Sequence, residues 1–143
     1  MTTDDAADLE RFVTASADTH DQALAELRTG RKTSHWMWWE FPQLLLGSSP
    51  TSVAYAVHGL AEARAYLAHP VLARHWRENC EALLDQPSRD AQAVFGGIDA
   101  AKLRSSATLF AAAGDGLAQQ VLREFFDGRP DRATTDLLDG TAG

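Results

Sequence analysis

Three of the chain's four tryptophans stand within four positions, in the run Trp36-Met37-Trp38-Trp39-Glu40-Phe41 that ends at Pro42. The run shows neither strict alternation nor a one-sided helical stripe, and an element that is apolar on every side is usually buried on every side. It therefore predicts a central core helix around which the other elements are laid.

What surrounds it is a succession of short helical patterns, punctuated by Gly, Pro and Ser. Residues Asp5 to Ala15 carry Leu9, Phe12 and Val13 at three-and-four spacing, and Asp18 to Thr29 repeat the pattern with Ala23, Leu24 and Leu27 before Gly30. After the loop Gly47-Ser48-Ser49-Pro50, helices are expected from about Thr51 to Val57 and from Gly59 to Ala68. The pair His69-Pro70 places a proline where a first helical turn tolerates it, and Leu72, Trp76, Cys80, Leu83 and Leu84 then share one face. Ser88 is expected to cap a short turn ending at Gly96, and Asp99 to cap a helix from Ala100 to Ala113. A last pattern, Asp115 to Asp127, aligns Leu117, Val121, Leu122 and Phe125 before Gly128 and Pro130 close it. Strand signals are few, because β-branched residues are scattered and no Asn-Gly or Asp-Gly pair joins two alternating runs. The expected fold is all-α, a multihelical single domain of about seven to eight short helices, with residues 1–4 and 139–143 frayed.

A chain of 143 residues has the size of one domain, which buries about 70% of the surface its unfolded form exposes. No apolar run approaches the roughly 18 to 20 residues that span a bilayer, and Met1 to Glu10 is acidic where a signal peptide is basic and then apolar. A cytoplasmic protein with no membrane partner is the expectation. The formal charge of −7 repels phosphate backbones, so nucleic acid is not an expected partner. The single cysteine, Cys80, can form no internal disulfide, and its place in an apolar stripe suits a buried small hydrophobe.

Two segments carry residues with chemical potential. In Lys32 to Gln43 a cation, a hydroxyl (Ser34) and an imidazole (His35) directly precede the tryptophans. In a helix His35 would stack above Trp39 and Trp36 above Glu40, setting a desolvated carboxylate among aromatic rings, an arrangement suited to proton transfer. In the second segment, Lys102 to Phe110, Leu103, Ala107 and Phe110 form the apolar stripe, while Lys102, Ser105 and Ser106 flank it near a helix start, where backbone amides favour an anion. The plain alternative is that the tryptophans are core, Ser34 caps a helix, Lys102 snorkels and the serines bond to the preceding turn. Lys32 and Lys102 are the only two lysines among thirteen basic residues. No Gly-rich phosphate loop, His-Glu-x-x-His pattern or Gly-x-Ser-x-Gly elbow occurs, and no two of the five histidines are spaced as helical metal ligands. Neither a metal nor a cofactor is expected.

The stretches SHWMWWEFPQ, EARAYLAHPVL and KLRSSATLF together resemble the domain-of-unknown-function 1810 family, small all-helical proteins found mainly in bacteria, some of which carry a calpastatin label. The resemblance runs from Asp8-Leu9-Glu10-Arg11-Phe12 to Gly128-Arg129-Pro130-Asp131. It implies a fold and no activity. Trp39-Glu40 stands where the family pattern usually has Phe-Val, Ala107 where it has Met, and Leu45-Leu46 where it has a Gly-Leu step. The Glu40 departure counts against a family-wide catalytic role for that residue. The order of a Glu-Ala helix, the Trp76 helix and Lys102 also has a fainter similarity to helical proteins that hydrolyse ADP-ribose derivatives.

Two functions of different kinds follow. In the first, Lys32 and Lys102 hold a small anionic, nucleotide- or ADP-ribose-like molecule, Ser34, Ser105 and Ser106 donate hydrogen bonds, Trp36 or Trp39 stacks on a ring, and His35, with Glu40 as a further candidate, supplies catalysis if there is any. In the second, the chain is an interaction module or homodimer with no catalytic activity.

Overall fold

The structure, a computed structural model, describes residues 2–142, with side chains described for residues 9–140. Among these residues it contains ten helices: α1 (Thr2–Ala17), α2 (His20–Thr29), α3 (Met37–Glu40), α4 (Pro50–Ala54), α5 (Leu60–Ala68), α6 (Pro70–Asp85), α7 (Ala91–Phe95), α8 (Gly97–Ala112), α9 (Gly116–Phe126) and α10 (Arg132–Ala142). They form no strand, only an isolated parallel bridge between Leu44 and Val57. The all-α expectation holds. Met1 and Gly143 lie outside the described residues, and the helices at the two ends reach Thr2 and Ala142.

Helix α6 starts as its sequence dictates: Pro70 occupies the first turn, and the His69 ring accepts from the amides of Val71 and Leu72. Its buried face carries Leu72, His75, Trp76, Asn79, Cys80 and Leu83. Helix α2 packs along it, and α8 packs against α9. The core between them is continuous through aromatic rings, from Phe12 to Tyr66 (5.4 Å between centroids), Phe110 (5.1 Å), Trp76 (4.4 Å) and Phe41 (5.6 Å). Such pairs add about 0.5–1.5 kcal/mol each beyond the area they bury. Trp76 also fixes its own polar atom, since its indole nitrogen donates to Asp115 (2.8 Å), the residue that caps α9.

The tryptophan-rich run is not a long central helix. Only one turn of it, α3, is helical. Trp36 and Met37 are buried, whereas Trp38 and Trp39 are half-buried. The cause is the Glu26 carboxylate on α2, which accepts from the amides of Thr33 (2.7 Å) and Ser34 (2.9 Å), the Ser34 hydroxyl (2.6 Å), the Trp36 indole (3.0 Å) and the Gln22 side chain (2.7 Å). Backbone amides of 33 and 34 bound to a carboxylate are held in an irregular approach, so the helix cannot begin before Trp36. Gly30 prepares this turn: its φ of 75° ends α2 in the left-handed region, and a Cβ there would lie 2.8 Å from the Gln86 side chain.

Three other boundaries differ from expectation. Asp99 does not cap α8, which starts at Gly97, because its carboxylate is taken by lysines. Asp90, not Ser88, caps α7. The acidic stretch near the C-terminus belongs to α10, which buries Thr134 and Leu138.

Burial alone would raise the pKa of Glu26, but the donors from Ser34, Gln22 and Thr33 outweigh it and hold the carboxyl well below the usual range. Replacing Glu26 by Ala leaves the buried Trp36 indole and four part-buried donors without their acceptor. The expected loss is about 3 kcal/mol or more, read from urea unfolding followed by tryptophan fluorescence.

Candidate functional site

The two segments singled out in the sequence do meet. Lys32 comes from the loop before α3 and Lys102 from α8, and their ammonium groups converge on one carboxylate, Asp99, at 2.7 Å and 3.3 Å. Lys102 lies 3.9 Å from the Trp38 ring centre and Lys32 lies 5.0 Å from that of Trp36. The hollow between them, lined also by His35 and Met37, holds only about 50 Å3. Asp99 therefore occupies the place between the cations that a bound anion would take. Lys32 additionally donates to the Ser34 carbonyl, which leaves it little freedom.

The other expected site residues are elsewhere. His35 is exposed at the lip of the hollow. Ser34 and Trp36 serve Glu26. Ser105 is turned inward to the Ala101 carbonyl, and the Ser106 hydroxyl is buried with no hydrogen-bond partner among the described residues. Trp39 donates to Thr19, and Glu40 faces α2 and α6. The apolar core claims one face of α8, and the serines fall on it.

Glu40 instead floors a second site. Its carboxylate, 1% exposed, accepts from His20 Nδ1 (2.9 Å), the Thr19 hydroxyl (3.0 Å) and the Asn79 amide (2.9 Å). His20 is the first residue of α2, and its second nitrogen meets Glu78 of α6 at 2.8 Å. Against it stacks His75 of α6, ring centres 3.7 Å apart and planes 18° from parallel. His75 Nδ1 lies 3.2 Å from the Ser16 hydroxyl, and its Nε2 lies 3.4 Å from Arg74. His20, His75, Ser16 and Glu78 line a cleft of about 400 Å3 between α1, α2 and α6, walled by Val13, Leu24 and Val71 and rimmed by Asp21 and Arg74.

Their environments push the two imidazoles apart. Desolvation lowers the pKa of His20, but its hydrogen bonds to Glu40 and Glu78 outweigh that and raise it overall. Desolvation and the neighbouring His20 charge lower the pKa of His75. Glu78 is held low by its bond to His20. Titratable neighbours with divergent values are how a site holds an acid and a base at one pH.

Sequence reading passed over His20, His75, Glu78 and Arg74. One local signal was present: His75 and Asn79 are polar residues at i, i+4 on the face of α6 that buries Leu72, Trp76 and Leu83.

The molecule is thus an all-helical single domain with an ionisable, histidine-lined cleft beside its core. The chain belongs to the family described as protein of unknown function (DUF1810), whose model matches residues 6–138. The fold is similar to that of the conserved hypothetical protein Rv1873 from Mycobacterium tuberculosis, with a TM-score of 0.89 and 42% sequence identity over 92% of this chain and 96% of that one. No curated protein matches the chain. No helix is long and apolar enough to cross a membrane among the described residues.

The opposed histidines give a pH signature. The raised pKa of His20 makes its contribution complete below the ordinary value of 6.5 and lost as pH rises through the folded value. The lowered pKa of His75 makes its contribution complete above 6.5 and lost as pH falls through the folded value. In urea melts from pH 5 to 9, His20→Gln is expected to flatten the alkaline decline in stability, and His75→Gln the decline just below 6.5.

Proposed function

We propose that the protein binds a small hydroxylated anion, of the nucleotide or sugar-phosphate class, in the cleft between α1, α2 and α6. One observation carries this reading: a half-open cleft of about 400 Å3 in which Val13, Leu24 and Val71 stand beside several convergent ionisable groups, supported from beneath by a buried carboxylate. Ligand sites are commonly concave, mostly apolar spaces of about 300–1,000 Å3 with few fixed polar groups. Arg74 at the rim suits the anionic group, because a guanidinium is always charged and offers paired donors. Glu78 and Asp21 suit hydroxyls, which donate to carboxylates. The Lys32–Lys102 hollow is the weaker place for the same ligand, since it is small and its charges already meet Asp99.

The test is thermal unfolding with AMP, ribose 5-phosphate and ADP-ribose. A ligand at a hundredfold excess over Kd stabilises by about 2.7 kcal/mol, a rise of roughly 9 °C for a domain of this size. Arg74→Ala is expected to abolish the rise and Lys102→Ala to leave it. The reverse pattern would move the site to the lysines. No rise with any of the three rejects this ligand class.

The interaction-module reading has one observation in its favour, the apolar patch of Leu44, Leu45, Val57, Leu137 and Leu138, with Leu45 48% and Leu137 40% exposed. A second copy of the chain would bury it. Light scattering that shows a concentration-dependent mass, lost in Leu137→Asp, supports this; a constant monomer mass rejects it.

A further inference from the structure

Resting on the reading of this cleft as the ligand site, we propose that His75 and His20 act there as a base and acid pair that hydrolyses a carboxylic ester. The hydrogen bonds assign the protons. The Ser16 hydroxyl donates to the Val13 carbonyl (3.3 Å), so toward His75 it accepts, and the Nδ1 of His75 carries the hydrogen. His75 Nε2 faces the guanidinium of Arg74, which can only donate, so that nitrogen holds a lone pair. Both nitrogens of His20 face carboxylates, at 2.9 Å and 2.8 Å, and both carry hydrogens. The two Nδ1 atoms point inward to Glu40 and Ser16, and the two Nε2 atoms point to rim residues. A neutral base and an imidazolium thus lie side by side in the wall of one cleft, their Nε2 atoms covered by Arg74 and Glu78.

That placement selects the reaction centre. In phosphoryl transfer the attacking and leaving oxygens lie roughly in line on opposite sides of phosphorus. Two rings stacked 3.7 Å apart with the same edge outward cannot flank such a centre. At a carbonyl carbon the entering and departing oxygens are neighbours on one tetrahedral intermediate, within reach of adjacent groups. Once Arg74 turns from His75 Nε2 to the carbonyl oxygen, that nitrogen takes a proton from water as the water oxygen bonds to the carbonyl carbon. The intermediate then collapses, the bond to the alkoxy oxygen breaks, and that oxygen takes the Nε2 proton of His20, having displaced Glu78 from it. Transfer of the proton from His75 to His20 through solvent restores both, and the products are a carboxylic acid and an alcohol. Arg74 meets the negative charge on the carbonyl oxygen and afterwards the product carboxylate. Glu40 is a positioning residue, holding the His20 ring from behind.

Neither Ser16 nor Cys80 is placed to act as a covalent nucleophile. Ser16 is 1% exposed, and Cys80 is fully buried with its thiol pushed well above its ordinary pKa by desolvation. Water is therefore the attacking species.

The experiment compares p-nitrophenyl butyrate, ethyl butyrate and bis(p-nitrophenyl) phosphate. Both esters are expected to be hydrolysed faster than by an equal concentration of free imidazole, and the phosphate diester not. His75→Ala should lower kcat/KM on both esters by about 10²–10⁴-fold, the usual yield of a general base. His20→Gln should lose more on ethyl butyrate, whose alkoxide needs a proton, than on p-nitrophenyl butyrate, whose phenolate does not. Glu40→Gln should shift the pH profile of ethyl butyrate hydrolysis, with folding checked by the ¹⁵N spectrum of the imidazoles. Turnover that survives His75→Ala, equal losses for His20→Gln on both esters, or preference for the phosphate diester overturns the proposal. If neither ester is cleaved while the Arg74-dependent melting shift persists, hydrolysis falls and the binding reading stands.

Discussion

The carboxylate of Glu26 is the constraint on which the rest of the structure depends. A loop rich in tryptophan can enter a core only if its amides and indole nitrogens find acceptors, since an unpaired buried donor costs as much as a lost hydrogen bond or more. Glu26 meets four such donors within the span Thr33 to Trp36. By doing so it shortens the expected helix to a single turn and aims Trp36 into the aromatic core, where it lies 6.2 Å from Phe41 and 6.5 Å from Phe95.

The same demand shapes the cleft. With the segment anchored at Glu26, the turn that follows swings Glu40 under the start of α2, where Thr19, His20 and Asn79 all serve it. Asn79 turns its amide nitrogen to Glu40, and its own carbonyl oxygen is left buried without a partner among the described residues. A buried charge that is paired and hydrogen-bonded is tolerable, whereas one stripped of a partner costs about 3–5 kcal/mol. Glu40 and His20 therefore hold one another in place, and His75 is kept against them by stacking.

The two basic and aromatic segments illustrate how proximity and availability differ. Lys32 and Lys102 come together, but they do so around Asp99 and against the faces of Trp36 and Trp38. The cluster fastens the loop to α8. Its charge is spent inside the protein, while the charge of Arg74 stands at an open rim.

The amino-acid sequence by itself determined the helical class, the single core, the start of α6 at Pro70, the stop at Gly30 and the burial of Cys80. Each of these follows from periodicity or cap chemistry, which act over a few residues and can be seen in a short window. It also marked Lys102 as a residue flanking the apolar stripe of its helix. Only the tertiary structure decided that Glu26 would break the tryptophan run, that Asp99 would turn from capping α8 to pairing two lysines, and that His20 would meet His75. These pairings join residues up to 67 positions apart, as with Lys32 and Asp99, and are chosen by which buried polar groups can be satisfied together. No local pattern carries that information, because the choice is made by the packed whole.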